Sequence, residues 1–213
     1  MPSRFPSGHL PFESKLEMDF LTLLQLDIRM FDVATQPMKL ELTVEGQRRT
    51  YTPDVLATWH GAMPHPYPQR QVVFEVKPLN VLREKRALLS PKYRAARSHL
   101  ARLGIGFRVV TERTIRTPRL GNAQLIAPEM LQRQDRNLIT QIARFAKDRG
   151  PVRLGDLREH LDAEGAIRGS ILGAAYNMIG SRQLRCDLDF PINDNTLVTW
   201  WGDVELGKIF ARA

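Results

Sequence analysis

The stretch QVVFEVKP, residues 71–78, is apolar like a buried β-strand, yet it carries two charges in its second half. Strand side chains alternate between two faces, so the apolar side chains at 72, 74 and 76 should share one face. Glu75 and Lys77 then share the other face, which places a carboxylate beside an ammonium group. The pair indicates either a solvated ion pair on a half-exposed strand or a site where both groups act on a ligand.

Two further acidic residues come earlier in the chain, and each is expected near the same place. Residues 12–28 show the apolar spacing of a helix, on which Glu17 shares a face with Phe20 and Leu24 and should point toward the core. Asp54 lies within YTPDVL, in a strand that precedes the Glu75 strand and that we expect beside it. An unpaired buried carboxylate is costly, so these acids need a cation or strong hydrogen-bond donors.

Paired strands would bring Asp54, Glu75 and Lys77 to one end of the sheet, with Glu17 reaching in from the helix. Crowded carboxylates repel one another, and Mg²⁺, which prefers carboxylate oxygens, relieves that repulsion while keeping positions open for phosphate and water. The backbone carbonyl of Val76 is a further candidate ligand. This donor set suits phosphodiester hydrolysis, in which Lys77 can orient the water and offset charge in the transition state.

The surrounding sequence predicts elements that could position these residues. A strand over 38–44 turns at Glu45-Gly46 and returns over 49–59, and a proline-rich loop leads to the 71–77 strand. A helix over 90–104 follows, with Ser90 as N-cap and Gly104 as C-cap, and then a strand over 105–112 that should run parallel to the Glu75 strand. The predicted order is helix–β–β–β–helix–β, an α/β sandwich in residues 1–127.

Residues 128–213 have a different character. Three short helices are predicted over 136–150, 153–165 and 168–184, followed by a β-hairpin over 184–200 that turns at Asn193-Asp194-Asn195. Three helices and a hairpin make the pattern of a small winged-helix-like α+β domain.

The net charge of +8 is unevenly distributed along the chain. Residues 1–127 carry 19 Lys and Arg against 11 Asp and Glu, whereas residues 128–213 carry 12 of each. A one-sided basic surface indicates either a polyanionic partner such as DNA or a solvated face. The candidates for phosphate contact are Arg83, Lys85, Arg86, Lys92, Arg94 and Arg97. For the neutral second domain we favour contact with protein over reading of DNA sequence.

Other features limit the function classes. The single cysteine, Cys186, excludes an intramolecular disulfide and a cysteine-based zinc cluster, and no apolar run has the length of a membrane span. We therefore expect a cytoplasmic protein. The five histidines lack metal-ligand spacing; for His60 and His65, in the proline-rich loop, a loop role is favoured over DNA contact.

The order ESKLE, YTPD and FEVKP resembles the PD-(D/E)xK nuclease superfamily. More closely, ESKLEMDFLTLLQLD, QP, YTPDVL, VFEVKP and LGIGFRVVTE resemble TnsA, the endonuclease subunit of heteromeric transposases, over about residues 12–125. The resemblance implies a restriction-endonuclease-like mixed sheet flanked by helices, followed by the winged-helix-like domain. It places the catalytic and metal-binding residues at Glu17, Asp54, Glu75 and Lys77, and many relatives have Gln where this chain has Glu75.

The resemblance also implies an activity, cofactors and partners. The enzyme would nick the 5′ ends of a transposon, on the non-transferred strand, and so excise the element together with a TnsB-like DDE transposase and a TnsC-like AAA+ ATPase. We expect Mg²⁺ as cofactor, with two ions bound and Mn²⁺ able to substitute. Two alternatives stay open: a stand-alone restriction- or resolvase-type nuclease, and a non-catalytic nuclease-fold module for DNA binding or assembly.

Overall fold

The computed structural model describes residues 1–61 and 65–202 of the chain. These divide into two compact units, and the boundary lies between Arg116 and Thr117. The boundary predicted from sequence, between residues 127 and 128, falls inside a helix, α5 (Pro118–Met130). That helix packs in the second unit against α8 (Arg168–Gly180), which is why the boundary comes earlier than predicted.

The first unit contains the helix and strands expected around the acidic residues, with some additions. Its helices are α1 (Lys15–Gln25), α2 (Leu79–Glu84), α3 (Arg86–Arg102) and α4 (Glu112–Ile115). Its strands are β1 (Met30–Thr35), β2 (Leu40–Val44), β3 (Gln47–Tyr51), β4 (Val55–Trp59), β5 (Gln71–Val76) and β6 (Gly106–Val110).

A four-stranded mixed sheet in the order β1-β4-β5-β6 forms the centre of the first unit. Strand β4 pairs antiparallel with both β1 and β5, and β5 pairs parallel with β6, which confirms the predicted crossover through a helix. The mixed sheet flanked by helices is the predicted restriction-endonuclease-like architecture. The single returning strand predicted over 49–59 is wrong, because β3 pairs with β2 in a separate hairpin and β4 joins the main sheet.

The two faces of β5 are covered by different elements, as the alternation of its side chains predicts. On one face Phe74 contacts Phe20 of α1, with ring centroids 5.1 Å apart. On the other face Val73 belongs to an apolar cluster with Leu100 of α3 and Leu42 of β2. The sheet is therefore buried on both sides of the strand that carries Glu75.

Helix α3 begins earlier than its sequence signals indicate. The predicted N-cap, Ser90, lies inside the helix, which starts at Arg86 directly after α2. At the other end, Gly104 follows the last turn with φ of +72°, a conformation that glycine adopts without steric cost, and the predicted stop is confirmed.

The second unit contains the three predicted helices and the hairpin, preceded by α5. After α5 and α6 (Arg136–Arg149) come β7 (Val152–Arg153), α7 (Leu154–Ala163), α8, β8 (Leu184–Arg185) and β9 (Leu197–Trp200). The strands form an antiparallel sheet in the order β7-β9-β8. Its assignment as winged-helix-like stays a prediction, and residues 203–213 lie outside the described part of the chain. No helix in the described ranges is long and apolar enough to cross a membrane.

Candidate active site

The pairing of β4 with β5 brings Asp54 to the end of the strand that carries Glu75. Val55 is the register partner of Phe74, so Asp54, one residue earlier, lies beside the last residues of β5. Its Oδ2 accepts a hydrogen bond from the backbone N–H of Val76 at 2.7 Å. Asp54, Glu75 and Lys77 therefore occupy one end of the sheet, the placement expected from the sequence, while their chemical roles stay predictions.

Glu75 is a buried carboxylate, only 2% exposed, and both of its oxygens are hydrogen-bonded. The Tyr51 hydroxyl donates to Oε2 at 2.5 Å and the Tyr93 hydroxyl donates to Oε1 at 2.9 Å. Lys77 Nζ lies 3.4 Å from Oε1 and is about one-third exposed. This environment excludes the solvated ion pair considered above, because the acidic partner is inside the protein.

The two tyrosines were not predicted from the sequence. Burial, followed by the negative charge of Glu75, raises the pKa of Tyr51 and of Tyr93 far above that of a free phenol. Both hydroxyls therefore keep their protons and remain donors to the carboxylate. Nothing local distinguishes Tyr51 or Tyr93 from an ordinary core tyrosine, since their common partner is 24 or 18 residues away in the chain.

The environment of Asp54 changes the pKa of its carboxyl group. Burial and then the negative charge of Glu75 raise its pKa to about 6, and Glu17 adds a smaller push in the same direction. The Val76 N–H and the Lys77 ammonium work against that rise without cancelling it. The site therefore holds more negative charge than its own cation neutralises.

Glu17 lies in the first turn of α1, at the end of its buried face, and is only half-buried, so the expected position inside the core is wrong. Ser14 is the N-cap, and the Glu17 carboxylate accepts hydrogen bonds from Ser14 Oγ at 2.8 Å and from the Glu13 N–H at 2.9 Å. Acidic side chains favour this position because the first turn of a helix exposes unpaired N–H groups. The buried acid of α1 is Asp19, which pairs with Arg116 at 3.2 Å.

Gln36 connects the two acidic segments of the site. Its backbone N–H donates to the Asp54 carbonyl at 2.9 Å, and its side-chain amide donates to Glu13 Oε1 at 2.6 Å. It does so with φ of +46°, in the left-handed region that few non-glycine residues adopt. The Gln-Pro pair was part of the resemblance noted above, but no role in the site was predicted for it.

The chemistry of the donors fits a hard divalent cation, because Asp54 and Glu75 are adjacent carboxylates with excess negative charge. Their geometry does not form a complete metal-binding site. Among the residues that the structure describes, no three Asp, Glu, His or Cys side chains stand close enough to hold one ion. The close pair is Asp54 and Glu75, and Glu17 would have to leave its capping hydrogen bonds to join them.

The six basic candidates lie on α2 and α3, the elements that follow β5, with Lys85 at their junction. Five of them are exposed, namely Arg83, Lys85, Arg86, Arg94 and Arg97. Lys92 is half-buried, with Nζ 4.6 Å from the ring centroid of Tyr51 and 5.2 Å from that of Tyr93. These basic side chains thus lie on two neighbouring helices, one of them contacts the tyrosines that hold Glu75, and their contact with phosphate stays a prediction.

The two histidines of the proline-rich loop face inward. His60 is buried and its ring meets that of Phe31 edge-on at 5.1 Å. The ring of His65 stacks on Trp59 at 5.4 Å. Both contacts are those of a packed loop, the role favoured from the sequence.

Comparison with known protein families gives one match to this part of the chain. Residues 27–112, about two fifths of the sequence, match a family model described as TnsA-like endonuclease N terminal. The matched segment includes Asp54, Glu75, Lys77 and all six basic candidates, and it begins after Glu17. A comparison with curated proteins gives no match.

Proposed function

We propose that the protein is the metal-dependent DNA endonuclease subunit of a heteromeric transposase, a proposal supported by the match of residues 27–112 to the TnsA-like endonuclease N-terminal family model. It nicks transposon ends at the 5′ side, on the non-transferred strand, while a DDE transposase cleaves the other strand, so that the element is excised. The observation that carries this proposal is the convergence of Asp54, Glu75 and Lys77 at one end of the sheet, inside the matched domain.

Asp54, Glu75 and the Val76 carbonyl would hold Mg²⁺, with Glu17 as an additional ligand once it leaves its cap. Two ions are proposed, with Mn²⁺ able to replace Mg²⁺. When bound, the metal polarises the scissile phosphate and lowers the pKa of a bound water. The raised pKa of Asp54 supports this assignment, because a cation would stabilise the ionised carboxylate that burial and Glu75 disfavour.

Lys77 supplies a positive charge next to the reacting phosphate. Its ammonium lies 3.4 Å from Glu75 and is partly exposed, so it can meet a phosphate oxygen or a water from the solvent side. In that position it orients the attacking water and offsets negative charge that develops in the transition state. Its neighbour Glu75 keeps it aimed at the site through their ion pair.

The basic residues of α2 and α3 would bind the DNA backbone on either side of the scissile phosphate. Helix α3 carries Tyr93, which reaches Glu75, so this helix connects the phosphate-binding surface to the acidic centre. Contacts of this kind position the duplex without reading its sequence. Sequence selection would then come from the transposase partner.

The second unit is proposed to contact the protein partners, a TnsB-like transposase and a TnsC-like ATPase. Residues 128–213 carry equal numbers of basic and acidic side chains, which argues against a DNA-binding role driven by charge. The order helix–strand–helix–helix–strand–strand in α6 to β9 supports a winged-helix-like assignment for it.

The test is a strand-specific nicking assay on DNA that carries a transposon end, with the transposase and ATPase from the same element. We expect Mg²⁺-dependent nicks at the 5′ side, lost in Asp54→Asn and Lys77→Ala. A matched control is Glu41→Gln, an exposed acid on β2 of the same unit, which should cleave normally.

Three outcomes would contradict the proposal in different ways. If Asp54→Asn cleaves as well as the wild type, the acidic centre does not take part in the reaction. Cleavage of arbitrary DNA by the protein alone would indicate a stand-alone nuclease. Normal excision supported by both variants would indicate a non-catalytic assembly module.

A further inference from the structure

Glu75 is paired with the Lys77 ammonium, as a buried carboxylate most often is with a cation, and it also accepts hydrogen bonds from two neutral side chains. Tyr51 ends β3, in the hairpin that packs on α3, and Tyr93 lies in the second turn of α3. Both rings are buried, at 4% and 8% exposure. Strand β3 and helix α3, both outside the main sheet, therefore each place a hydroxyl group against the Glu75 side chain of β5.

We propose that Tyr51 and Tyr93 are positioning residues that hold the Glu75 carboxylate in place as a metal ligand. The inference rests on the proposed function, since it assumes that Glu75 binds the catalytic metal. It adds two residues that do not touch the metal or the DNA but act through Glu75.

The geometry of the hydrogen bonds supports a positioning role. One hydroxyl donates to each carboxylate oxygen, at 2.5 Å for Tyr51 and 2.9 Å for Tyr93, and two donors from different directions fix the plane of the carboxylate. An ionised carboxylate offers about four lone-pair sites, so each oxygen retains capacity for a metal ion.

The neutrality of the donors also matters. Hydrogen bonds from hydroxyl groups offset part of the cost of burying an anion and add no positive charge to that of Lys77, which already pairs with Glu75. An Arg in place of either tyrosine would bring a second positive charge to Glu75 and compete with a divalent cation. Two tyrosines thus stabilise the buried carboxylate in the form that a metal requires.

Lys92 extends this arrangement to the basic surface. Its ammonium lies over the Tyr51 ring at 4.6 Å and near the Tyr93 ring at 5.2 Å, within the range of a cation–π contact. It helps to keep the two rings together and sits on the helix proposed to bind the DNA backbone. Lys92 therefore has a packing role in addition to the phosphate contact predicted for it.

The test is calorimetric titration of the full chain with Mn²⁺ alone, comparing wild type with Tyr51→Phe and Tyr93→Phe. Each substitution removes a hydroxyl and keeps the ring, so the core stays filled. We expect each to weaken Mn²⁺ binding on the order of 10-fold or more, as losses of groups that orient metal ligands commonly do. Tyr67→Phe is the matched control, because the Tyr67 ring packs near Trp59 and Phe74 on the other face of the sheet.

A double-mutant cycle separates positioning from general destabilisation. If the tyrosines act through Glu75, Tyr93→Phe should change Mn²⁺ affinity little in a Glu75→Gln background. Where the Glu75→Gln variant binds too weakly for calorimetry, the rise of Tm with Mn²⁺ concentration supplies the affinity. Thermal unfolding without metal checks that each variant is folded.

The outcomes distinguish this inference from the proposed function. Wild-type Mn²⁺ affinity in both tyrosine variants, with binding lost in Asp54→Asn, would overturn the positioning role alone. An equal loss in the wild-type and Glu75→Gln backgrounds would also overturn it. Absence of any Asp54-dependent Mn²⁺ binding in the wild type would contradict both the inference and the metal dependence of the proposed function.

Discussion

At the scale of single residues, the two central carboxylates are stabilised differently although they lie at the same end of the sheet. Glu75 is buried but receives two tyrosine hydroxyls and the Lys77 ammonium. Asp54 accepts a hydrogen bond from the Val76 N–H, and its pKa still rises to about 6. The excess negative charge of the site therefore appears as the raised pKa of Asp54.

Asp54→Asn should stabilise the metal-free protein at neutral pH. The pKa of Asp54 is raised from 3.8 to about 6, so its stabilising contribution is full below pH 3.8 and is lost as the pH rises through about 6. The asparagine side chain carries no charge, so the variant does not lose this stability. We expect its free energy of unfolding at pH 7 to exceed that of the wild type by about 1–2 kcal/mol after allowing for solvent screening. Urea unfolding in EDTA at pH 4 and pH 7 measures it; an equal pH dependence in wild type and variant would contradict the argument.

Lys77→Ala should abolish cleavage and also move the pH range of metal binding. The Lys77 ammonium lowers the pKa of Asp54, so its removal lets that pKa rise further and makes protons stronger competitors for the metal. Mn²⁺ titrations between pH 5 and 8 should show the rise in affinity displaced to higher pH. DNA binding without metal should persist, and a variant that cleaves normally would remove Lys77 from the chemistry.

At the scale of elements, the prediction from sequence is strongest where the pattern is local. The β5–α3–β6 crossover follows from an apolar strand, a helical stripe and a glycine stop, and each is present. Strand β1 is not predicted because MFDVAT lacks a regular alternation of apolar and polar residues, and its pairing with β4 is irregular between Met30 and Asp32. Ser90 looks like a cap because Pro91 follows it, whereas the true starts of α2 and α3 carry no capping side chain that would mark them.

The parts of the site that the sequence could not predict depend on contacts between distant elements. The tyrosine donors to Glu75 arrive from β3 and α3, and their position requires the packing of the hairpin on that helix. The wrong prediction that Glu17 is buried has a related reason. Glu17 follows the helical spacing of the buried residues, but it lies in the first turn of α1, where the buried face ends at solvent. Periodicity gives the face of a helix but not how far the core extends along it.

The basic surface of α3 gives a prediction about DNA affinity. Arg94→Ala removes an exposed charge one residue from Tyr93, which contacts Glu75. Arg102→Ala removes a charge that is also exposed but lies in the last turn of the same helix. We expect Arg94→Ala to reduce the slope of log K against log salt concentration by about 1, and Arg102→Ala to leave it unchanged. Fluorescence anisotropy with a duplex in EDTA measures both; equal effects would place the DNA elsewhere on the helix.

At the scale of the whole molecule, charge and chemistry are concentrated in one unit. Residues 1–116 carry 18 Lys and Arg against 11 Asp and Glu, and they contain every predicted site residue. The second unit is nearly neutral and has its own buried core, which includes Leu138, Ile142, Leu157 and Ala174. This division supports a nuclease unit that binds DNA and a second unit that binds protein.

The position of the boundary can be tested by where a shortened chain still folds. A chain ending at Arg116 keeps the whole first unit and the Asp19–Arg116 ion pair, so we expect it to be soluble, to unfold cooperatively and to bind Mn²⁺ as the full chain does. A chain ending at residue 127 adds most of α5 without its partner helix α8. It exposes Leu120, Ala123 and Ile126, which are buried in the full chain.

The two shortened chains should therefore differ in solution behaviour although they differ by only eleven residues. The longer one should aggregate or bind a hydrophobic dye, because an unpartnered apolar helix face favours association. Arg116→Ala in the shorter chain is the matched control, since it leaves the carboxylate of Asp19 buried without its cation and should lower the stability markedly. Gel filtration and thermal unfolding measure all three chains. If the chain ending at residue 127 is monomeric and stable while the chain ending at Arg116 aggregates, the boundary expected from the sequence is the correct one.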